Sequence, residues 1–277
     1  MDRILYETHS HTTLCKHAFG TPDEYAMAAQ HAGLKGLMIT CHNPMPFGFS
    51  SQVRMEMDEF DEYLDLVECT RSAWFGRIDV RLGLECDYFP GFEDWLERQV
   101  KAAPYDYLLG SVHPQTGEFR ERFWTDDPYV FQRHYFEQLA LAAETGWFDC
   151  LAHPDLVKNT TATAWQPDLI MDDIRHCLDR VAATGIAMEL NTSGRNKVIA
   201  EMNPFPGMLC EMASRGIPVV IGADAHRPER VGEGFDDALK LLGQCGYESV
   251  SFFMGHQRQD VFIEQARRSL QPSERSS

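Results

Sequence analysis

The sequence predicts an α/β fold in which a parallel sheet closes, or nearly closes, into a barrel. Apolar strand-like runs and amphipathic segments alternate seven or eight times along the 277 residues, mostly with short connections. This alternation is typical of parallel strands joined by crossover helices, and at this length of a barrel. In addition, most strand-like runs end in His, Asp or Glu. A doubly wound open sheet remains an alternative, although no glycine-rich nucleotide motif follows the first run.

Composition limits the classes of function. The hydrophobic fraction of 44% and the charged fraction of 24% are those of an ordinary globular protein. A net charge of −17 argues against binding to nucleic acid or to anionic membranes. The eight cysteines are scattered singly, which favours reduced thiols and a cytoplasmic location over a disulfide framework. We expect one domain over residues 1–270 and a polar, disordered tail at 271–277.

The first two strand–helix units are predicted from apolar runs and helix-start signals. The run Ile4–Tyr6 leads into Glu7-Thr8-His9-Ser10-His11. Thr21-Pro22-Asp23-Glu24 combines an N-cap, a first-position proline and acidic residues in the first turn, so a helix is expected from there to His31. Leu34–Thr40 is a strand that the prolines at 44 and 46 cannot extend. Met55–Trp74 is a long amphipathic helix.

The remaining units follow the same pattern. Proline follows His113 and His153, and we expect it to keep each histidine extended, because it disfavours helical geometry in the residue before it. The predicted strands are Ile78–Leu84, Tyr105–Val112, Phe148–Ala152, Ile186–Leu190, Ile217–Gly222 and Ser249–Phe253. The predicted helices are Gly91–Ala102, Tyr129–Glu144, Leu169–Ala183, Phe205–Arg215, Phe235–Leu242 and Asp260–Leu270.

Seven of the 11 histidines lie at or just beyond predicted strand ends. Side chains two apart on a strand share a face, so His9 and His11 point together. The carboxyl ends of parallel barrel strands meet at one mouth, where we expect the group to converge. The group is His9, His11, His17, His42, His113, His153 and His226. The other four, His31, His134, His176 and His256, lie in or beside helical segments, and no site is expected there.

Two carboxylates accompany these histidines. Glu85 and Asp224 each follow an apolar run, and each would need a partner if buried. Taken singly, every one of these residues could instead be a cap or an ion-pair member. As a set, imidazoles and carboxylates suit Zn, Fe or Mn, and the lack of clustered thiolates argues against a cysteine-type zinc site. The set exceeds what one ion can use, so two or three divalent ions are predicted.

The ordered motifs resemble those of the PHP family (polymerase and histidinol phosphatase), within it most of all the histidinol-phosphate phosphatases. The likeness extends to about Ile263. It implies a distorted (β/α)7 barrel with three metal ions at the C-terminal ends of the strands, and hydrolysis of a small phosphate monoester, L-histidinol phosphate. The motifs are His9-Ser10-His11, Lys16-His17-Ala18, Thr40-Cys41-His42-Asn43-Pro44, Gly83-Leu84-Glu85, Gly110-Ser111-Val112-His113, Leu151-Ala152-His153-Pro154-Asp155-Leu156, Glu189-Leu190-Asn191-Thr192-Ser193-Gly194 and Gly222-Ala223-Asp224-Ala225-His226.

The resemblance also implies a ligand set. One ion would be held by His9, His11, Glu85 and Asp224; a second by Glu85, His113 and His153; a third by His17, His42 and His226. Asp224 or His226 would protonate the leaving oxygen. The chain departs from the family pattern in having Glu7 and Cys41 where aspartates are usual.

Substrate contacts are predicted from nearby charges. Arg195 and Lys197 follow Asn191-Thr192-Ser193-Gly194, and Lys158 follows His153-Pro154-Asp155-Leu156, so these three cations are candidates for binding phosphate. Asp87 and Asp155, with the aromatic residues Phe47, Phe49 and Tyr88, could read the ammonium and imidazole of the substrate. The alternatives are a family member that acts on nucleotides or phosphodiesters, and a metal-binding regulatory domain.

Overall fold

The computed structural model describes residues 3–270, which form one mostly parallel sheet surrounded by helices. The strands are Tyr6–Ser10 (β1), Gly36–Ile39 (β2), Asp79–Asp87 (β3), Tyr107–Ser111 (β4), Cys150–Leu151 (β5), Ala187–Asn191 (β6), Val219–Gly222 (β7), Ser249–Met254 (β8) and Gln257–Phe262 (β9). The helices are Pro22–His31 (α1), Phe60–Trp74 (α2), Glu93–Gln99 (α3), Gly117–Phe123 (α4), Pro128–Glu144 (α5), Val157–Thr160 (α6), Met171–Thr184 (α7), Pro206–Ser214 (α8), Phe235–Gln244 (α9) and Ile263–Leu270 (α10). The predicted tail at 271–277 lies outside the described residues.

The strands follow one another around the sheet in chain order, and β1 to β8 are parallel. The sheet is not one continuous closed ladder. Instead, β1 reaches the chain just beyond β7: the His11 N–H donates to Ala225 O at 3.0 Å and the Ala225 N–H to His9 O at 2.9 Å. β8 pairs with β7 at one residue pair only, Val220 with Ser251, and then forms an antiparallel hairpin with β9. The predicted distorted α/β barrel is confirmed.

Outer helices fix the strands that carry the predicted site. The first turn of α1 has the expected N-cap, since Thr21 and Glu24 form a reciprocal capping box. On α2, the buried Tyr63 hydroxyl lies 2.8 Å from Ile39 O and 2.7 Å from Gly83 O. It therefore ties the helix to β2 and β3 a few residues before His42 and Glu85.

The structure differs from the prediction at several elements. A helix predicted from Asp260 begins only at Ile263, because 257–262 form β9, in which Val261 faces inward opposite Val250 while its neighbours are exposed. His256 is in the β8–β9 turn with a φ of 62°, not beside a helix. α4 was not predicted; the Thr116 side chain caps it by accepting the Phe119 N–H. β1 begins two residues later than expected and includes His9.

The cysteines also differ in part from expectation. Cys210, on α8, and Cys245, directly after α9, are joined by a disulfide across 35 residues. The sequence gives no sign of it, because only the packing of the chain brings α8 near the end of α9. The other six cysteines are free thiols. Among residues 3–270, no helix has both the length and the apolar character that crossing a bilayer requires.

Candidate metal centre

All nine predicted metal-binding side chains meet at the C-terminal mouth of the barrel. β1 carries His9 and leads to His11, β3 carries Glu85, and the other members follow strand ends or lie in the loop after β1. Potential ligand atoms lie within 4.8 Å of one another in several groups. These groups include His9–His11–Asp224, His11–His42–Glu85 and His17–His42–His226. The structure thus brings together residues separated by more than 200 positions in sequence.

Glu85 lies at the middle of the group. Its side chain is 1% exposed, and its two oxygens face different histidines. Oε1 lies 3.1 Å from His153 Nε2 and 3.4 Å from His113 Nε2. Oε2 lies 2.8 Å from His42 Nδ1, 3.4 Å from His9 Nε2 and 3.6 Å from His11 Nε2. Burial raises the pKa of Glu85, but the charges of His42 and His9 outweigh burial and bring that pKa well below its ordinary value.

Asp224 closes the group from the β7 side. Its Oδ1 lies 3.3 Å from both His11 Nε2 and His226 Nδ1. Ser193 Oγ donates to Oδ2 at 3.0 Å, and Lys197 Nζ is 3.5 Å from the same oxygen. A φ of 48° at Asp224 turns the backbone sharply after β7, so the carboxylate is directed at the imidazoles by the fold.

The residues present fit a set of divalent ions. Within residues 3–270, His9 Nε2, His11 Nε2 and His226 Nε2 are buried nitrogens with no hydrogen-bond partner. Such atoms are costly when buried unless something binds them, and bound divalent ions would satisfy them. The pKa of His17 is lowered to about 4 by partial desolvation of its ring and by the charges of His226 and His42, which favours the neutral imidazole that a metal ligand requires.

Glu189, on β6, orients two of the ligands, a role that was not predicted from the sequence. Its Oε1 lies 2.8 Å from His9 Nδ1, which directs Nε2 of that ring to the centre. Its Oε2 accepts the His153 N–H at 2.8 Å. A Cβ atom at Gly222 would lie 2.1 Å from Glu189 Oε1, so glycine is required there. The only signal in sequence was the place of Glu189 within a family-type motif.

The backbone at His153 is not extended as predicted. Its φ is 28°, in the left-handed region, despite the proline that follows. The bond from its N–H to Glu189 and a bond from the Tyr135 hydroxyl to its carbonyl, at 3.1 Å, hold this turn. Tertiary hydrogen bonds therefore override the local preference.

The two departures from the family pattern have separate surroundings. Glu7 is fully buried and accepts the N–H groups of His9, Ala223 and Gly232 at 3.1, 2.8 and 2.8 Å. Burial raises the pKa of Glu7 to about 7 against the lowering effect of those amides. Cys41 is buried, with its sulfur 3.2 Å from the Thr12 hydroxyl. Thus Glu7 braces β1 against the loops after β7.

A cavity of about 670 Å³ opens above the imidazoles. It is lined by the cations Arg120, Lys197, Arg227 and Arg230. Among the described residues, Arg120 and Arg227 have no carboxylate partner; each lies over an aromatic ring, that of Trp124 and Phe19 respectively. Neither arginine was predicted from the sequence. Arg227 could have been found from its place beside His226, whereas Arg120 lies on the unpredicted α4.

Of the three cations predicted to bind phosphate, only Lys197 lines this cavity. Arg195 lies on the surface, 2.9 Å from Asp237 Oδ2. Lys158 is completely buried, with Nζ 3.1 Å from Asp155 Oδ2 and donating to Met202 O at 2.7 Å. Asp155 is thereby occupied and does not face the cavity.

A barrel of parallel strands with an imidazole–carboxylate centre at its C-terminal mouth defines a class, the metal-dependent hydrolases. The PHP domain model matches residues 7–193. A probable histidinol-phosphatase of Deinococcus radiodurans is 39% identical over 254 residues, covering 90% of this chain and 96% of the relative. The chain belongs to the PHP domain family, and the predicted family and phosphatase class of hydrolase are confirmed.

Further relatives agree in length and fold. The histidinol-phosphatase of Bacillus subtilis is 26% identical, and the match covers 84% of this chain and 97% of the relative. The histidinol phosphate phosphatase of Lactococcus lactis, solved in complex with zinc, L-histidinol and phosphate, superposes with a TM-score of 0.78 at 18% identity, covering 92% of this chain and 98% of its own. This structural likeness concerns the fold.

Proposed function

We propose that the chain hydrolyses L-histidinol phosphate to L-histidinol and phosphate. The observation that carries the proposal is the group of imidazoles around Glu85 and Asp224, set in a chain that matches a probable histidinol-phosphatase along almost the whole length of both. The relative from Lactococcus lactis was solved with zinc, L-histidinol and phosphate, which supports the same substrate and a zinc-type metal.

The proposed ligands are those that the family resemblance implies. Glu85 would bridge two ions, since each of its oxygens faces different imidazoles. His17, His42 and His226 form a third set, whose ligand atoms lie within 4.8 Å of one another. Divalent ions held there, two or three of Zn, Fe or Mn, supply Lewis-acid chemistry that polarises phosphoryl oxygens and makes water nucleophilic near neutral pH.

The phosphate group would be bound from the cavity side by Lys197 and Arg227. Both line the cavity, and Arg227 has no carboxylate partner among the described residues although the chain carries a net charge of −17. A cation that stays unpaired in so acidic a protein is available for an anion. A guanidinium also matches two phosphoryl oxygens at once.

Neither of the two predicted proton donors is free to act as one in this arrangement. Burial raises the pKa of Asp224, but the charge of His9 and the nearby imidazoles of His11 and His226 outweigh burial and bring that pKa well below its ordinary value. The His226 ring has Nδ1 beside Asp224 and its buried Nε2 available to an ion, so we assign both residues to holding metal. His226 lines the cavity and is partly exposed. Ser193 and Lys197 hold Asp224 in place, and Asp224 in turn orients the His226 ring.

The test is substrate preference. Values of kcat/KM are measured for histidinol phosphate, glycerol phosphate, a nucleoside monophosphate and a phosphodiester. We expect histidinol phosphate to be preferred by more than about tenfold, roughly 1.4 kcal/mol of differential transition-state binding. A smaller preference, or faster cleavage of the nucleotide or diester, would make the chain a different phosphoesterase of the family.

A matched pair of variants tests the phosphate contact. Arg227→Met removes a cation that lines the cavity, while Arg195→Met removes one engaged with Asp237 on the surface. We expect the first to lower kcat/KM by about 10- to 100-fold, the loss of one charge-assisted contact. The second should stay within twofold of the wild type. Equal kcat/KM for the two variants would refute the assignment of Arg227.

A further inference from the structure

A buried polar cluster lies behind His113, on the side of its ring away from Glu85. It consists of Arg54, Asp87, Asn43 and Ser111, contributed by the loop after β2 and by the ends of β3 and β4. The Asp87 N–H donates to Asn43 Oδ1 at 3.1 Å, and the Ser111 hydroxyl donates to Asp87 Oδ1 at 2.8 Å. The cluster therefore joins three segments that each deliver a residue to the metal centre.

Arg54 is the cation of this cluster, and it is buried although a cation cannot itself bind a metal ion. Its side chain is only 2% exposed, and it is the largest fully buried side chain of the described chain. Nη1 donates to Asn43 O at 2.9 Å, Nη2 donates to Asp87 Oδ2, and the guanidinium lies 5.4 Å from the centre of the Phe49 ring. A guanidinium is costly to bury, so it persists in such a place only with a fixed carboxylate partner.

Asp87 divides its two oxygens between Arg54 and the metal centre. Oδ2 accepts from Arg54, while Oδ1 contacts His113 Nδ1. The opposite nitrogen of that ring, Nε2, faces Glu85 Oε1 at 3.4 Å. Four groups thus stand in line: guanidinium, carboxylate, imidazole and the bridging carboxylate. The prediction that Asp87 reads a substrate ammonium is corrected, because both its oxygens are occupied.

The carboxylate behind His9, Glu189, has no such cation among residues 3–270. Glu189 Oε1 contacts His9 Nδ1, but its remaining oxygen receives only neutral donors, the His153 N–H and the Asn191 amide. Hydrogen bonds from neutral donors hold a carboxylate less strongly than charge-assisted hydrogen bonds from a guanidinium. His113 therefore differs from His9 in that its orientation depends on a buried cation, Arg54, acting through a carboxylate.

We infer that Arg54 is a positioning residue for metal binding at His113: it locks Asp87, which locks the His113 ring with Nε2 towards Glu85. The inference rests on the proposed metal centre, though not on the proposed substrate. Without Arg54, Asp87 Oδ2 would lose its cationic partner, and the hydrogen bond from Ser111 to Oδ1 would hold the buried carboxylate against the His113 ring less firmly. The ion assigned to Glu85, His113 and His153 should then bind more weakly, while the others are little changed.

The test measures metal binding, separately from activity. Metal-free wild type, Arg54→Met, Arg54→Lys, Asp87→Asn and the Arg54→Met/Asp87→Asn double variant are titrated with Zn²⁺ against a competing chromophoric chelator. We expect Arg54→Met to weaken one ion about tenfold or more, the usual effect of losing an outer partner, with the remaining ions within twofold. Arg54→Lys should have an intermediate metal affinity, since lysine keeps the positive charge but lacks the forked N–H donors of the guanidinium. The double variant should be no worse than Asp87→Asn, because Arg54 acts through Asp87.

Arg71→Met is the matched control. Arg71 contacts Asp106 at 3.3 Å and Val80 O at 3.0 Å near the start of β3, far from the mouth. This variant should bind every ion as the wild type does. Affinities in Arg54→Met within twofold of wild type at every ion would overturn the inference, as would additive losses in the double variant. Should Arg54→Met not fold, Arg54→Lys decides: unchanged affinity for every ion overturns the inference, and selective weakening of one ion supports it.

Failure of the proposed function gives a different result. A wild type that binds two or three ions but does not prefer histidinol phosphate would leave this inference standing and refute the substrate. A wild type that binds no ion would refute the metal centre and this inference with it.

Discussion

Strand β3 carries a carboxylate near each of its two ends, and the two carboxylates have opposite kinds of partner. At its start, Asp79 and Arg81 pair with one another at 2.7 Å, and Arg81 reaches Asp106 at 3.2 Å. The Tyr6 hydroxyl donates to Asp79 at 2.6 Å. At its end, Glu85 is buried among five imidazoles, and no Lys or Arg side chain of residues 3–270 contacts it.

Exposure explains the difference. The Arg81 side chain is 33% exposed, so water completes its hydrogen bonding and the ion pairs contribute little net stability. Glu85 and the imidazoles around it lack that solvent, and several of their buried atoms have no partner. A cluster whose polar atoms are all hydrogen-bonded therefore stabilises a fold modestly. A buried cluster whose polar atoms lack partners instead indicates a bound ligand. Four experiments test this difference between the two ends of β3 and the residues around them.

Chelation should abolish activity. The protein should purify with about two to three divalent ions per chain, and prolonged dialysis against a chelator should remove both ions and turnover. The barrel should stay folded, because its core is separate from the mouth, while its melting temperature falls; an ion present at 100 times its Kd stabilises by about 2.7 kcal/mol. Elemental analysis, circular dichroism and activity are compared. Fully active protein that contains one ion or none would contradict the multinuclear centre.

Glu85→Ala should lower kcat/KM by more than about 100-fold, beyond the usual loss for an outer partner. The physical reason is that its two oxygens face different imidazoles, so two ions depend on it. His42→Ala removes one ligand and should cost less. Both variants are assayed at saturating metal, with metal content measured in parallel. If the two variants retain equal activity, Glu85 does not bridge.

Lys158→Met should destabilise the fold by about 3–5 kcal/mol, the usual cost of removing one partner of a buried ion pair. Lys158 and Asp155 are buried together, and Lys158 also holds the carbonyl of Met202. Urea unfolding measures the change, and KM for the phosphate ester should be unaffected at low temperature. A rise in KM without loss of stability would restore Lys158 as a phosphate ligand.

Arg81→Ala should have the smallest effect. Removing this cation from the start of β3 should change the free energy of unfolding by no more than about 1 kcal/mol, as for exposed ion pairs. Metal content and kcat/KM should equal those of the wild type. A loss of bound metal in this variant would show that the two ends of β3 are coupled and that the comparison above is wrong.

The predictable part of the site follows from local periodicity. Alternation along β1 places His9 and His11 on one face, and the exits of β3 and β7 deliver Glu85 and Asp224, so strand order alone brings these residues to one mouth. The sequence could not show which cations face that mouth. Lys158 and Arg195 follow suggestive motifs, yet one is buried with Asp155 and the other pairs with Asp237.

The barrel and the residues gathered at its mouth could therefore be predicted from periodicity and strand-end positions, which are local properties, and the family from the resemblance of the ordered motifs. The partners of these residues depend on tertiary packing: Glu189 lies behind His9, Arg54 behind Asp87 and Arg227 beside the cavity. These contacts span 180 residues in the first case and 33 in the second. Pairing at such separations depends on which side chains share a small buried volume once the barrel has closed, and no local pattern encodes that.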